Sequence, residues 1–444
     1  MSRVALIGEN SVEYVNALLD IWNNGDCAVL LDWRIPFKTA VKMMVEAGVT
    51  RCCIENGKFD NKKDIFPESI ELEVFEWQSN SAELLPQYIY DKYRDNYSDN
   101  EAVVIYSSGT TGTAKGIILS HYAIQTNADA IIDYMKPVPD DCIYIAKVMS
   151  HSSTLTGELL VALKSGMKVV VAPTIVPPRF IMSHIEQYCV SVICLNPTLL
   201  SYISDEYVRH YYDLSFLRVI YVSGSVLNDS LYKKAHNILK EVPIYNVYGL
   251  SEVGPRVTAQ RADCCKGNTV GKPIKNVDVI IVNEHGNILP PKERGIVHVK
   301  TPSKFTGYIS GERKNQSLCE PWINTGDIGF FDENGELVIS GRCDDVINLN
   351  SHKIYPIDIE QIICMYPKID DCFVSMVEID NNQLIACLYT GENQNKSDII
   401  RYLAERLPWY ELPQKYVFIN QIPRTTSGKV IKRQAIECLI NAER

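Results

Sequence analysis

The string Tyr106-Ser-Ser-Gly-Thr-Thr-Gly-Thr-Ala-Lys-Gly116 concentrates groups that bind anions. Gly109, Gly112 and Gly116 allow positive φ and a close approach of backbone to ligand. Successive N–H groups, with the hydroxyls of Ser107, Ser108, Thr110 and Thr111, make a cradle to which Lys115 adds a full positive charge. That is phosphate-binding chemistry. A Ser/Thr/Gly string alone is often no more than a polar surface loop. Here the apolar run Ala102–Tyr106 before it and Ile117-Ile-Leu119 after it favour a phosphate loop. It is not the Walker A pattern, because no Gly-Lys-Ser/Thr opens a helix.

The elements that must hold such a loop are legible from periodicity. Arg3–Gly8 reads as a buried strand, Val12–Trp22 as a helix capped by Ser11, Ala28–Leu31 as a second strand, and Thr39–Gly48 as a helix ended by its glycine. This alternation predicts a parallel sheet covered by helices, and it recurs at Ala102–Tyr106, Lys168–Ala172, Ser191–Leu195 and Leu217–Val222. After residue 270 the texture changes to short strands, Val277–Val282, Gly295–Lys300 and Gly335–Ile339, parted by turns such as Asp332-Glu-Asn-Gly335. These predict a small β-barrel or meander. Beyond Arg342 follows a small α+β pattern, with helices near Pro356–Met365 and Lys396–Leu407 and strands Cys372–Val377 and Leu384–Tyr389. The expectation is an α/β chain with a large N-terminal domain, 1–341, and a small C-terminal domain, 342–444.

The chain has 444 residues, 46% apolar and 22% charged, an ordinary globular composition that excludes disordered, collagen-like and coiled-coil classes. A net charge of -10 removes the basic footprint that nucleic acid requires, and no basic cluster is interleaved with stacking aromatics. There is no run of eighteen apolar residues and no signal-like start, so a membrane span and export are not expected. The fourteen cysteines include no CxxC pair and read as reduced structural thiols of a cytoplasmic protein.

Ser107-Ser-Gly-Thr-Thr-Gly-Thr-Ala-Lys-Gly116 resembles the signature of the adenylate-forming superfamily: acyl-CoA synthetases, peptide-synthetase adenylation domains and luciferases. The superfamily's other motifs follow in order. Tyr248-Gly-Leu-Ser-Glu252 resembles its Tyr-Gly-x-Thr-Glu segment, which implies an aromatic near adenine and a glutamate that holds Mg²⁺. Trp322-Ile-Asn-Thr-Gly-Asp327 resembles the segment whose aspartate bonds the ribose hydroxyls. Gly341-Arg-Cys-Asp-Asp345 resembles the hinge motif, making Arg342 a ribose or phosphate contact and Asp344 the pivot. Pro423-Arg-Thr-Thr-Ser-Gly-Lys429 resembles the C-terminal motif that ends in a catalytic lysine. Ser223-Gly224-Ser225 matches the adenine loop more loosely, as Gly271-Lys-Pro273 does the segment opening the barrel.

The resemblance implies that ATP, with Mg²⁺ at Glu252 and Thr110, activates a small carboxylic acid. Ser107, Ser108, Gly109, Thr110, Thr111, Gly112 and Lys115 would hold the phosphates; Ser223, Gly224, Ser225, Asn246, Tyr248, Gly249, Ser251, Asp327 and Arg342 the nucleoside; Lys429 would bridge acid and α-phosphate. The acyl group would then pass to a thiol, on coenzyme A or on the phosphopantetheine of an acyl or peptidyl carrier protein. For that step the small, mobile domain would rotate about Asp344 and bring in the loop Asn348–Lys353.

Several positions depart from the family pattern. The amino terminus reads as trimmed, which predicts an exposed apolar edge or a dimer contact. Ser351 replaces a glycine beside the thiol passage and is expected to narrow it, while Ser251 replaces a threonine and keeps the hydroxyl. Amino-acid-activating relatives have an aspartate where Ser153 stands here, so an acid without an α-amine is expected. His151 resembles the histidine bordering the acyl pocket, which Gly249 and Val253–Pro255 would also line; a histidine satisfied within a loop is its plainer reading. Two rivals remain at this point: a stand-alone adenylation protein loading a carrier in trans, and a degenerate ATP-binding relative without catalysis.

Overall fold

A computed structural model describes the chain apart from residues 59–65, 76–80, 108–113, 175, 241, 265–267, 311–320, 350–351, 380–381, 426–427 and 443–444. The expectations on Ser108, Gly109, Thr110, Thr111, Gly112 and Ser351, and on the side chain of Ser107, lie outside the described residues.

Buried β-branched runs become two large helix-covered sheets. In the seven-stranded sheet, Arg3–Ile7 lies between Cys27–Leu31 and Val49–Glu55, both parallel to it. The first strand is thus central, covered by neighbours on both sides rather than forming an edge. Its helix, Val12–Asn23, starts where Ser11 Oγ accepts from Tyr14 N–H at 3.0 Å, the cap its sequence calls for. Glu101–Ser107 continues this sheet and pairs antiparallel with Lys115–Ser120, Ser107 opposite Lys115. The phosphate-loop string is therefore the connection of a hairpin at the sheet's end.

The eight-stranded sheet has Cys142–Ile145, Val192–Leu195, Val219–Val222 and Ile244–Tyr248 running parallel. The helix His121–Met135, buried along much of its length, packs in the same core as residues of both sheets. After residue 270 the chain forms a four-stranded antiparallel meander, Asp278–Val282, Gly295–Lys300, Ile323–Phe331 and Leu337–Arg342. The small domain has its own core, in which Ile359, Val374, Ile385 and Leu403 pack between helices and a sheet built on the hairpin Ile369–Ile379 and Asn382–Gly391.

Polar contacts dock the small domain on the large one. Arg294 makes a bidentate pair with Asp358, at 2.5 and 2.9 Å, and its guanidinium lies 4.8 Å from the Tyr355 ring centroid. Lys353 pairs with Glu284 at the surface. Every cysteine among the described residues is a free thiol. No helix among them is long and apolar enough to cross a membrane.

Candidate active site

Parallel strands bring their carboxyl ends, and the loops after them, to one edge of a sheet, where ligands of open α/β folds bind. On this edge stand Lys147, Asn196, Ser223 and Tyr248, each at or just past the end of one of these parallel strands. Ser223 is buried, and Gly224 follows it at φ +97°. The chain enters Gly249 so tightly that a Cβ there would lie 1.7 Å from the Pro255 carbonyl oxygen, so only glycine fits.

The meander supplies the facing wall. Asp327, 7% exposed, takes the Tyr248 hydroxyl on Oδ2 at 2.5 Å and the Arg342 guanidinium on Oδ1 at 2.9 Å. Asp327 and Arg342 are direct partners across adjacent strands. Arg342 also donates to the Thr325 carbonyl at 3.1 Å, and Asp327 N–H donates to Thr325 Oγ1 at 3.0 Å. Each carboxylate oxygen keeps a second lone pair, so this aspartate can still accept from a sugar hydroxyl. Burial alone would lower the Arg342 guanidinium, yet Asp327 outweighs it and holds it above its ordinary value. Burial first, then the Asp327 charge, pushes the Tyr248 phenol well up, so it donates at any physiological pH.

Glu252 sits in a short turn beside the hairpin. Tyr308 Oη donates to its Oε1 at 3.0 Å, and Lys115 Nζ lies 5.7 Å from the Tyr308 ring centroid. Tyr308 comes from Gly307–Tyr308, which extends the hairpin as an edge strand opposite Ile117. It escaped sequence reasoning because no motif spans the 56 residues between it and Glu252. One carboxylate oxygen held by a phenol leaves the other for a hard cation. A Mg²⁺ held there would take its remaining ligands from phosphate oxygens and water, as that ion prefers.

His151 begins the helical run Ser152–Ser165, with its Nε2 buried and unpartnered among the described residues. Burial pushes its imidazole down to about 4, helped by the charges of Arg34, Lys147 and Lys429 against that of Asp32. Ser152 Oγ lies 2.8 Å from Ser251 Oγ, tying this run to the Tyr248–Glu252 segment.

Lys429 arrives from the small domain. Arg424, paired with Asp371 at 2.6 Å, donates to the Gly428 carbonyl at 2.7 Å, and Thr425 N–H donates to the Lys429 carbonyl at 2.7 Å. This turn presses on the large domain: a Cβ on Gly428 would lie 3.2 Å from Thr198 Oγ1 and 3.3 Å from Asn196 Nδ2. The Lys429 side chain keeps exposed surface while protein crowds it at longer range, as a side chain reaching into an open cleft does. Lost hydration, then Arg342, lowers its ammonium against the pull of Asp327 and Glu252, and cleft water screens that shift. His151, Glu252, Asp327, Arg342 and Lys429, scattered over 279 residues of sequence from 151 to 429, thus act on one cleft. Asn246 instead lies buried in its strand, with its amide donating to the Thr269 carbonyl at 3.1 Å. Asp344 is exposed in the turn Cys343–Asp345, outside the cleft, where its neighbour Asp345 pairs with Lys432.

Helix-covered sheets whose strand ends receive a lysine from a small docked domain are the architecture of adenylate-forming enzymes. Solved structures of that kind match this chain nearly throughout. ATP-bound MatB from Rhodopseudomonas palustris matches with a TM-score of 0.87 at 22% identity, over 98% of this chain and 88% of that one. O-succinylbenzoate coenzyme A synthetase (MenE) from Bacillus subtilis, in complex with ATP and magnesium ion, gives 0.82 at 22% identity, over 98% and 89%. Among curated proteins, the 2-succinylbenzoate–CoA ligase of Bacillus mycoides (strain KBAB4) is 27% identical over 441 residues, 97% of this chain and 87% of that protein. The chain belongs to the AMP-binding enzyme family, whose profile matches residues 1–309, with the family's C-terminal domain matching 358–429.

Proposed function

We propose that the chain is an AMP-forming acid–thiol ligase that converts a small carboxylic acid without an α-amine to an acyl-adenylate and then to a thioester. A carboxylate oxygen attacks the α-phosphorus of ATP and pyrophosphate leaves. A thiol sulfur then attacks the carbonyl carbon and AMP departs with the bonding electrons. The first step brings two anions together, so it needs positive charge and oriented donors. Lys115 and the phosphate-loop amides suit the β- and γ-phosphates, Asp327 and Arg342 the ribose, and Lys429 the α-phosphate and acid together. Mg²⁺ at Glu252 and Thr110 would neutralise phosphate oxygens.

The observation that carries this reading is the seating of the Lys429 turn on Asn196 and Thr198. It is the arrangement that acid activation requires, so the thiol step needs the small domain to turn about Asp344, with the domain boundary at 341/342. Two of the proteins named above are a coenzyme A synthetase and a CoA ligase, which favours coenzyme A as acceptor here; the phosphopantetheine of a carrier protein presents the same thiol arm. Free thiols support a cytoplasmic setting. The test is acid-dependent exchange of pyrophosphate into ATP over a panel of acids, followed by thioester formation with coenzyme A. Exchange slowed about thirty- to a thousandfold by Lys429→Ala is expected. Acid-independent ATP hydrolysis alone would overturn the reading.

A further inference from the structure

Glu158 lies wholly inside the large domain at 0% exposure, in the π-helical turn Leu155–Leu160, among leucines. A glutamate on a solvated helix face needs no explanation, but this one has no access to water. Its partner is Lys147, whose Nζ lies 2.9 Å from Oε1 and whose side chain is 11% exposed. Lys147 leaves the end of Cys142–Ile145, and its Nζ also lies 3.4 Å from Ser223 Oγ on the cleft edge. His151 feels its charge together with that of Lys429. The Lys147 backbone is fixed by Asn10, which donates to the Lys147 carbonyl at 2.8 Å and accepts from Met149 N–H at 2.9 Å. A lysine is thus built into the wall of the cleft and held from behind by a dry carboxylate.

The charges there do not balance. Arg256, 2% exposed, places its Nη2 3.0 Å from where a Cβ on Gly157 would sit, so the glycine makes room for the guanidinium. Its charge acts on Glu158, but it makes no ion pair among the described residues, and its Nε has no partner. Two cations share one buried carboxylate. Around them the Thr156 hydroxyl and His151 Nε2 are buried and have no hydrogen-bond partner among the described residues. Surplus positive charge and unpaired polar atoms are unfavourable to bury unless a ligand completes them. The carboxylate being activated cannot serve, because it belongs at the α-phosphate beside Lys429. An ammonium on the substrate would meet net positive charge, since Glu158 is already taken by Lys147.

We infer that Lys147, positioned by Glu158, recognises a second carboxylate on the acid substrate, so that small dicarboxylic acids are its substrate class. This rests on the acid–thiol ligase reading. The test compares pyrophosphate exchange with dicarboxylic acids and with monocarboxylic acids of matched length, for the unaltered protein and for Lys147→Met, Lys147→Arg and Glu158→Gln. The unaltered protein should prefer the dicarboxylic acid. Loss of one charge-assisted contact in Lys147→Met should raise KM for it about ten- to hundredfold. The monocarboxylic acid should be affected at least about tenfold less, and Lys147→Arg should restore part of the loss. Glu158→Gln should raise the same KM through Lys147. Equal or better use of monocarboxylic acids by the unaltered protein overturns the inference, even if no variant folds. So does a Lys147→Met effect that is the same for both acids. Exchange with monocarboxylic acids alone would leave the ligase reading standing, whereas silence with every acid would overturn both.

Discussion

Replacing Lys429 with alanine separates the two half-reactions. Its ammonium feels Asp327 and Glu252 as fields, and its side chain keeps exposed surface in the cleft. The turn that carries it is held by Arg424 and by backbone bonds that alanine retains. Folding should therefore be unaffected, with the melting temperature moving by no more than about 2 °C. The loss falls on the transition state. A unit charge about 4 Å from the charge developing on the α-phosphoryl is worth about 4 kcal/mol at an effective dielectric constant near 20. Water in the cleft reduces this, so about 2–4 kcal/mol is expected, or about thirty- to a thousandfold in the rate of adenylate formation. Arginine should not rescue, because its planar fork does not replace a compact point charge. The thiol step, assayed by supplying the acyl-adenylate and coenzyme A, should stay within about threefold, because on the proposed reading the small domain would by then have turned away. Stopped-flow release of pyrophosphate and of AMP reads the two steps independently. Equal losses in both would refute a lysine that acts only while its turn sits on Asn196 and Thr198.

The Arg294–Asp358 pair, roughly one-third exposed on each side, holds the small domain in its docked position. Arg294→Ala should slow adenylate formation about two- to fivefold and leave the supplied-adenylate reaction unchanged, as a half-exposed pair predicts. Asp327→Asn keeps the shape but removes the charge facing Arg342, and should raise the KM for ATP about tenfold or more in steady-state kinetics. His121 is pushed down to about 4 by burial, so the unfolded chain binds its proton first as pH falls. Its contribution to stability is complete above about 6.5 and is lost between about 6.5 and 4, up to about 3 kcal/mol. Melting temperature measured across that window should fall steeply in the unaltered protein and less in His121→Gln.

Local chemistry was legible in the sequence; contacts between distant segments were not. Ser11 caps its helix as read, because capping depends on residues a few positions apart. The strands around Val374 and Ile385 run longer than the apolar runs suggested, since polar ends such as Asp371 and Gln383 still pair across the hairpin. The helix at Lys396 stops at Ala404, short of Leu407, which folds back into the small-domain core. Of the two arrangements expected after residue 270, the meander forms. Tyr308 became a partner of Glu252 only through a two-residue edge strand with no sequence signature. The Lys147–Glu158 pair stayed hidden because no motif joins the two residues, and the π-helical turn carrying Glu158 shifts which side chains face inward.

The rung between Asp327 and Arg342 has a consequence for timing. At the residue after Arg342 the chain bends into Cys343–Asp345, the root from which the small domain hangs. The proposed clasp on the sugar and the proposed base of the swivel are therefore one stretch of strand. A nucleotide in that clasp would stiffen the swivel's base; on its departure Arg342 would keep, among the described residues, Asp327 and the Thr325 carbonyl, and the root would loosen. Departure of AMP and resetting of the small domain would then be a single kinetic event, making the rate at which the enzyme lets go of its spent nucleotide the pace at which it readies itself for the next acid.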